Sequence, residues 1–412
     1  MATTIQPDLF EHVLNAFAQA GDTGIHNDRL YKIVGNRAQL DDAAINNREL
    51  IGRSKQAHSL IKRKIRWHQQ SLKHLGLIRR VDGVRGLWEL TEEGKVKLKK
   101  AKPNVALIAY STDLGVAIWG TAERVFNQLD VPISLCLTSP PYPLAKARAY
   151  GNPSEQEYVD FICKSLEPIV KNLVPGGSIA LNISQDIFIK GSPARSLYPE
   201  RLVLALCDKL SLYKMDCVIW HNPSKPPGPV QYASIQRVHL NVAYEMVYIF
   251  TNNPKLYKAD NRRVLEPHSE KHTKLMLSGG EKRVSINSDG AYVIKHGSYS
   301  NFTEGKIPRN VLVRGHACAD QRQYKKYARE MGLPPHGAPF PRSVAEFFIK
   351  FLTEIGDVVV DLFSGSNTAG REAEEQGRFW ITTECMLEYA LGSSARFVGC
   401  NGYWRNPALL NH

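Results

Sequence analysis

Ser139-Pro140-Pro141-Tyr142 combines residue types suited to handling a flat ring that bears an amino group. The tetrapeptide follows an apolar run, Ile133-Ser134-Leu135-Cys136-Leu137, which reads as a buried strand ending at Thr138. Two successive prolines cannot extend a ladder or enter a helix interior, so the chain must turn there in a rigid, extended shape. A rigid loop at the carboxyl end of a strand is where open α/β sheets hold ligands. Here it offers a hydroxyl (Ser139), a fixed carbonyl (Pro140) and an aromatic face (Tyr142). Amino hydrogens suit the two oxygens, and a heterocycle suits the tyrosine ring.

A second chemically loaded stretch lies far downstream. Val358-Val359-Val360-Asp361-Leu362 reads as a buried strand, and Phe363-Ser364-Gly365-Ser366-Asn367-Thr368-Ala369-Gly370 as a small-residue turn opening a helix. Small residues let backbone approach a ligand, and a helix amino terminus offers free N–H groups. Glu384 ends the next strand about 20 residues on, the spacing at which an acidic side chain holds ribose hydroxyls. No GxGxxG fingerprint accompanies it, which argues against a nicotinamide enzyme.

These loops need a sheet to place them. Strand candidates are Ser134–Thr138, Ser178–Ile183, Met215–Trp220, Met246–Thr251, Val358–Leu362 and Trp380–Thr383, alternating with helical stretches from Ile108 to about Phe397. This predicts an α/β, Rossmann-like, doubly wound sheet. Pro175-Gly176-Gly177 reads as a sharp turn feeding one strand. A helix carrying Val344, Phe347, Phe348, Phe351 and Leu352 on one face follows His336-Gly337-Ala338-Pro339-Phe340-Pro341.

Residues 1–103 read as a separate unit. Leu9, Phe10, Val13, Leu14 and Phe17 share one helix face behind Pro7, and a short helix is predicted over Asp28–Val34. A longer helix is predicted over Lys55–Leu75, striped by Ile61, Ile65, His68, Leu72 and Leu75. A hairpin through Asp82-Gly83 follows, and Thr91-Glu92-Glu93-Gly94 reads as the cap of a last helix. Helices plus a hairpin make a winged helix-turn-helix. The unit holds 19 Lys/Arg against 11 Asp/Glu. Lys62, Arg63 and Arg66 on the helix, and Arg79, Arg80 and Arg85 at the wing, are candidate phosphate contacts, a solvated basic face being the bland reading. Residues 104–412 form the second unit. Within it, about 252–314 break the alternation and read as an inserted basic segment, with 12 Lys/Arg against 6 Asp/Glu over 255–314, Arg262 and Arg263 among them.

Composition sets the outer bounds. Hydrophobic content of 43% and charged content of 23% describe an ordinary globular protein. A net charge of +13 and pI near 9.3 point to a polyanionic partner. The seven cysteines show no CxxC pair, so no metal site or disulfide framework is expected, and a reducing cytosol is favoured. Neither a membrane-spanning apolar stretch nor a secretory leader is read, so a cytoplasmic location is expected.

Thr138-Ser139-Pro140-Pro141-Tyr142 resembles the catalytic loop of the DNA amino methyltransferases, which move a methyl group from S-adenosylmethionine to an exocyclic amino nitrogen. Serine in first place resembles the N4-cytosine branch, since N6-adenine enzymes usually carry an acidic residue or asparagine there. The Asp361–Thr368 stretch resembles the S-adenosylmethionine loop of the same family. The resemblance implies that Asp361 and Phe363-Ser364-Gly365-Ser366 face the amino acid end of the cofactor, with Asn367 and Thr368 beside them, and that Glu384 takes the ribose. Family members usually carry glycine where this chain has Asn367, although asparagine tolerates left-handed backbone well. The Pro-Phe-Pro segment has its counterpart beside the family's methionine pocket, which implies that Phe340 and Pro341 line the cofactor. Trp220-His221-Asn222-Pro223 is similar to the base-side loop, with Arg237, Asn241 and Glu245 beyond it. Arg237 is a candidate for holding phosphate or a flipped nucleotide, and Glu245 has a structural role as its alternative. Leu75–Gly94 is similar to winged domains of some restriction endonucleases.

The catalytic loop precedes the cofactor loop, the order of the beta group, and the resemblance spans about 110–400. It implies base flipping out of duplex DNA, bacterial restriction-modification as the setting, and room for a cognate restriction endonuclease. Hydrogen bonds from the amine to Ser139 and the Pro140 carbonyl, with Tyr142 stacked on the ring, would supply positioning and electrostatics, with no need of a metal or a covalent intermediate. Ring-carbon methylation is discounted, because the chain contains no Pro-Cys pair. N6-adenine methylation stays open, RNA methylation is a weaker alternative, and a winged-helix DNA-binding regulator with a degenerate methyltransferase domain is the reading from another class.

Overall fold

In a computed structural model of the chain, the described residues are 13, 16–17, 24–51, 56–74, 78–81, 83–91, 106–142, 155–316, 318–337 and 339–409. The expected helix behind Pro7 lies mostly outside them, as do Lys95–Pro103 and all but Thr91 of the last cap. The chain divides into two compact units, Met1–Lys99 with Ala328–Pro334, and Lys100–Tyr327 with Pro335–His412.

The first unit contains β1 (Ile25–His26), α1 (Asn27–Arg37), α2 (Asp42–Asn46), β2 (Arg48–Ile51), β3 (Gln56–Ser59), α3 (Leu60–His74), β4 (Ile78–Arg80) and β5 (Leu87–Leu90). β1, β5 and β4 form a three-stranded sheet, with β4 and β5 as the antiparallel wing. Leu30, Val34, Ile45, Ile65, Leu72, Ile78 and Trp88 form its core; of the stripe read from the sequence, Ile65 and Leu72 are buried in it, Ile61 packs against it, and Leu75 lies outside the described residues. This is a winged helix-turn-helix. The long helix starts five residues later than expected. Gln56–Ser59 instead pair with β2, and the Ser59 hydroxyl accepts the Lys62 N–H at 3.1 Å while donating to the Ile45 carbonyl at 2.6 Å, so serine acts as a start signal.

The second unit is built on a ten-stranded sheet. In chain order its elements are β6 (Ala106–Ser111), β7 (Gly115–Gly120), α4 (Ala122–Phe126), β8 (Ile133–Thr138), α5 (Glu155–Asn172), β9 (Leu173–Ile183), α6 (Tyr198–Leu210), β10 (Tyr213–His221), β11 (Tyr244–Thr251), α7 (Glu270–Leu277), β12 (Ser285–Asn287), β13 (Tyr292–Ile294), β14 (Val311–Val313), α8 (Ala319–Glu330), α9 (Arg342–Leu352), β15 (Val358–Asp361), α10 (Thr368–Glu375), β16 (Phe379–Glu384), α11 (Leu387–Ser394) and β17 (Trp404–Arg405). The sheet order is β14-β10-β11-β9-β8-β15-β16-β7-β6-β17, with β12 and β13 as a separate hairpin. Strands β9, β8, β15, β16 and β7 run parallel, and β11 runs against β9 and β10.

The chain winds outward from β8 to β9 on one side and from β15 to β16 on the other. The adjacent pair β8/β15 is therefore a topological switch point, where a doubly wound sheet binds its ligands. All six positions of β8 are buried, as an apolar run in a two-sided sheet requires. Ile162, Leu166, Ile169, Leu202 and Leu206 cover it with β9 and β11 in one continuous core. Four strands of this sheet were not foreseen, β6 and β7 at the start, β14 inside the basic insertion, and β17, and neither was the separate hairpin β12–β13.

The Pro-Gly-Gly turn is also corrected. It lies within β9 as an irregularity, where pairing with β8 jumps from Ile133↔Leu173 to Leu135↔Ser178. Gly176 has φ +80°, and a Cβ there would lie 1.7 Å from the Leu256 carbonyl oxygen, so glycine is required. On α9 the buried stripe is Val344, Ala345, Phe348, Ile349 and Leu352, while Phe347 and Phe351 sit at its margin. No helix among the described residues is long and apolar enough to cross a membrane.

Candidate active site

One cavity of about 1380 Å³ opens at the carboxyl ends of the parallel strands. That exceeds the roughly 300–1,000 Å³ that one small ligand usually occupies, so two fit side by side. Ser139, Pro140, Pro141 and Tyr142 line its middle. Asp361, Phe363, Ser364, Ser366, Thr368, Glu384 and Phe340 line one end, and Trp220, Asn222, Lys225, Glu245 and His316 the other.

At the first end, strand pairing places Asp361 beside the end of β8. Its Oδ1 accepts the Thr138 hydroxyl at 2.7 Å and the Phe363 N–H at 3.1 Å. Burial pushes the Asp361 carboxyl up to about 7; those two hydrogen bonds oppose the rise, and the neighbouring Glu384 charge adds to it. Glu384 is raised too, by burial, although its Oε2 accepts the Gly365 N–H at 2.8 Å and its Oε1 the Met386 N–H at 2.7 Å. Cys385 also hydrogen-bonds to Glu384.

The turn between them is fixed from several sides. Gly365 has φ +51°, and a Cβ there would press on the His336 ring at 3.0 Å. Arg396 donates to the Ser366 carbonyl at 2.6 Å and to the Thr368 hydroxyl at 3.1 Å, and it pairs with Asp320. Behind the turn, the Arg342–Glu372 pair at 2.7 Å ties α9 to α10.

Three expected cofactor contacts do not line the cavity. Gly365 offers its N–H to Glu384 instead. Pro341 sits at the start of α9, while Pro339 and Phe340 before it line the wall. Asn367 is fully buried with φ 55° and ψ 48°, so it adopts the left-handed conformation in which glycine is usual. Its Oδ1 accepts the Gly370 N–H at 3.1 Å, and its Nδ2 donates to the Tyr110 hydroxyl at 2.7 Å. It is a helix cap and a tie to β6. Asn367→Ala is expected to lose about 2–3 kcal/mol from urea unfolding, by losing the cap, straining the backbone and removing one partner of a buried hydroxyl. Asn367→Gly relieves the strain and should cost about 1 kcal/mol.

Residues from distant strands surround the catalytic loop. The Asn182 Nδ2 lies 2.9 Å from the Tyr142 hydroxyl, 3.3 Å from the Ser139 Oγ and 3.0 Å from the Glu245 Oε2. Ser139 Oγ and Tyr142 OH are 3.1 Å apart, and Tyr142 donates to Glu245 Oε2 at 3.3 Å. Burial first, and then the Glu245 charge, hold the Tyr142 phenol well above its ordinary value. Lys225 Nζ is 3.5 Å from Glu245 Oε1. Trp220 stacks on His316 with ring centroids 6.4 Å apart, and its Nε1 donates to the Arg314 carbonyl at 2.8 Å. Asn182, Lys225, Arg396 and His316 were not singled out from the sequence.

The basic candidates separate by what they touch. Arg63 and Arg66 are exposed on α3. Lys62 donates to Asn46 at 2.6 Å, Arg79 pairs with Glu89 at 2.7 Å, and Arg80 lies over the Trp88 ring at 5.0 Å. Arg237 is exposed with φ +61° and does not line the cavity. Arg262 is held by Asp260. Arg263 ties the insertion to the end of α9, pairing with Glu354 at 2.7 Å and donating to the Thr353 carbonyl at 3.2 Å.

A buried carboxylate beside a small-residue turn, an acidic residue one strand over and room for a second ring suit a cationic nucleoside such as S-adenosylmethionine. Residues 133–394 match the family model described as DNA methylase, and residues 7–100 match that of the Mrr N-terminal domain. The type II methyltransferase M.PvuII of Proteus hauseri is 33% identical over 294 residues, covering 71% of this chain and 86% of that protein. M.BglII of Bacillus subtilis, another type II methyltransferase, is 24% identical over 267 residues, 63% of each chain. The solved PvuII DNA methyltransferase (cytosine-N4-specific) matches 76% of this chain and 95% of its own, with a TM-score of 0.56 and 29% identity. The chain belongs to the N6/N4 DNA methylase family.

Proposed function

We propose that this protein transfers a methyl group from S-adenosylmethionine to the N4 amino group of cytosine in duplex DNA, as the modification enzyme of a restriction-modification system. One observation carries the reading. Ser139-Pro140-Pro141-Tyr142 and the Asp361–Ser366 turn end adjacent parallel strands and share one cavity, with serine where an acidic residue or asparagine would point to adenine. The name of the solved relative, cytosine-N4-specific, supports the same base.

The bound cofactor would supply an electrophilic methyl group. Asp361 would hold its positive charge, Glu384 its ribose hydroxyls, and Phe340 its apolar surface. A flipped base would enter between the catalytic loop and Trp220, since a duplex hides the amino group. Its amine would donate to Ser139 Oγ and the Pro140 carbonyl, which draws the nitrogen lone pair out of the ring. Positioning accounts for most of the acceleration. The direct test is transfer of labelled methyl groups to duplex DNA, with binding of S-adenosylmethionine followed by calorimetry. Transfer with binding supports the reading, and absence of both contradicts it.

The domain roles belong to the same proposal. Residues 1–103 would add affinity through phosphates, and 252–314 would contact bases. Replacing Arg63 and Arg66 together by alanine is expected to weaken DNA binding uniformly across sequences. It should also lower the slope of log affinity against log salt by about 2, one unit per lost phosphate contact. An unchanged slope in a titration series would remove α3 from the interface.

A further inference from the structure

We propose that Glu245 is the terminal acceptor of the proton that the target amine must lose, reached from Ser139 through the Tyr142 hydroxyl; this deepens, and rests on, the amino-methyltransferase reading.

Alkylation leaves a proton to place. As the new C–N bond forms, the electron pair of the broken S–C bond stays on sulfur, and the nitrogen carries a positive charge until one N–H proton departs. Ser139 Oγ is the hydroxyl beside that nitrogen in the proposed pose. It can accept the proton only by handing on its own, since a protonated hydroxyl does not persist at neutral pH. Tyr142 OH, 3.1 Å away, can do the same. The chain of hydroxyls ends at Glu245 Oε2, 3.3 Å further on. A carboxylate can keep the proton, becoming neutral, and later release it to water. Glu245 is half-buried in the cavity wall, so that release has a path.

The surroundings fit a relay. The Asn182 Nδ2 has two hydrogens and lies within 3.3 Å of all three relay oxygens. Its donation shifts among them as the hydroxyls reorient, which keeps them in line without supplying a titrating group. Among the described residues, the ionisable groups set against Glu245 are Lys225, Tyr142, Tyr198 and His316. Lys225, on the loop after β10, pairs with Glu245 at 3.5 Å. Tyr142 and Tyr198 are held protonated by burial. His316 is pushed below its ordinary value by burial and by Lys325, so it is neutral at pH 7 and does not compete for the proton.

The test is single-turnover methyl transfer against pH for the wild type, Glu245→Gln, Glu245→Asp and Tyr142→Phe, with cofactor affinity by calorimetry and melting by circular dichroism. With cofactor held saturating at every pH, so that Asp361 does not set the profile, the wild-type rate is expected to fall on the acid side. Glu245→Gln should be slower by about 10²-fold at neutral pH and lose that acid limb, with cofactor affinity unchanged. Tyr142→Phe keeps the ring and should show the same flat, slow profile, and the double variant should be no slower than either single one. Glu245→Asp should recover part of the rate and the acid limb together. A Glu245→Gln rate near wild type, or one that keeps the acid limb, overturns the relay while leaving the methyltransferase reading intact. A wild-type protein that methylates no amine removes the reading itself. If Glu245→Gln fails to fold, the Tyr142→Phe profile decides.

Discussion

Ser139→Ala is expected to lower methyl transfer by about 10²–10³-fold, the loss typical when one preorganised group at the reacting centre is removed. The serine hydroxyl lies at the cavity wall, within reach of Tyr142 at 3.1 Å and Asn182 at 3.3 Å. Alanine removes the acceptor that draws the amine lone pair out of the ring, and the first group to receive its proton. It leaves the Pro140 carbonyl and the Tyr142 ring in place. The loss should therefore appear in kcat rather than in cofactor affinity. Thermal melting should change little, because no buried apolar volume is removed and Asn182 keeps Tyr142 and Glu245 as partners. Rapid-quench measurement of labelled methyl transfer separates the two. A variant that keeps its rate would show that the target nitrogen does not bind at Ser139.

Asp361→Asn is expected to weaken S-adenosylmethionine binding by on the order of 10²-fold or more, the effect of removing one partner from a buried charge pair. Asparagine keeps an oxygen for the Thr138 hydroxyl and the Phe363 N–H, so the turn should survive. The pH dependence follows from the raised carboxyl. In the empty protein Asp361 titrates near 7 because burial disfavours its charge. A raised acid stabilises the fold most below the unfolded value, and that contribution is lost as pH climbs through 7. The variant should therefore melt above the wild type at alkaline pH, with the gap closing under acid. A cationic ligand favours the ionised form. Wild-type affinity should then rise with pH up to about 7 and level off, with a proton released on binding below that point. Calorimetry in buffers of different ionisation enthalpy reads that proton, and pH-independent binding would show that Asp361 does not meet the cofactor's charge.

Both strands that carry these residues were legible because burial on two faces leaves a near-continuous apolar run. Ile133–Thr138 and Val358–Asp361 are such runs, each ending in a residue type that apolar packing cannot explain. The hairpin β6–β7 was hidden by Gly115 and Gly120. Gly115 lies against the Trp380 ring, where a Cβ would come within 2.2 Å, so glycine there serves packing and dilutes the strand signal. Asn182 and Glu245 carried a usable signal. Asn182 is a lone polar residue in Ile179–Ile183, at the carboxyl end of a buried strand. Glu245 lies near the start of β11, which runs antiparallel to β9, so the amino end of β11 meets the same edge of the sheet. Reading which strand is reversed would have brought Glu245 to the site. Arg263 illustrates the opposite limit: Glu354 is 91 residues away, and no local pattern foretells that pair.

Digestion to nucleosides after incubation of the protein with S-adenosylmethionine and unmodified duplex DNA, followed by mass spectrometry of the products, tests the central claim most directly. N4-methylcytosine is the expected product, present with the wild type and reduced about 10²-fold or more with Ser139→Ala. N6-methyladenine as the product would contradict the base assigned to the serine loop, and no methylated base at all would contradict the activity.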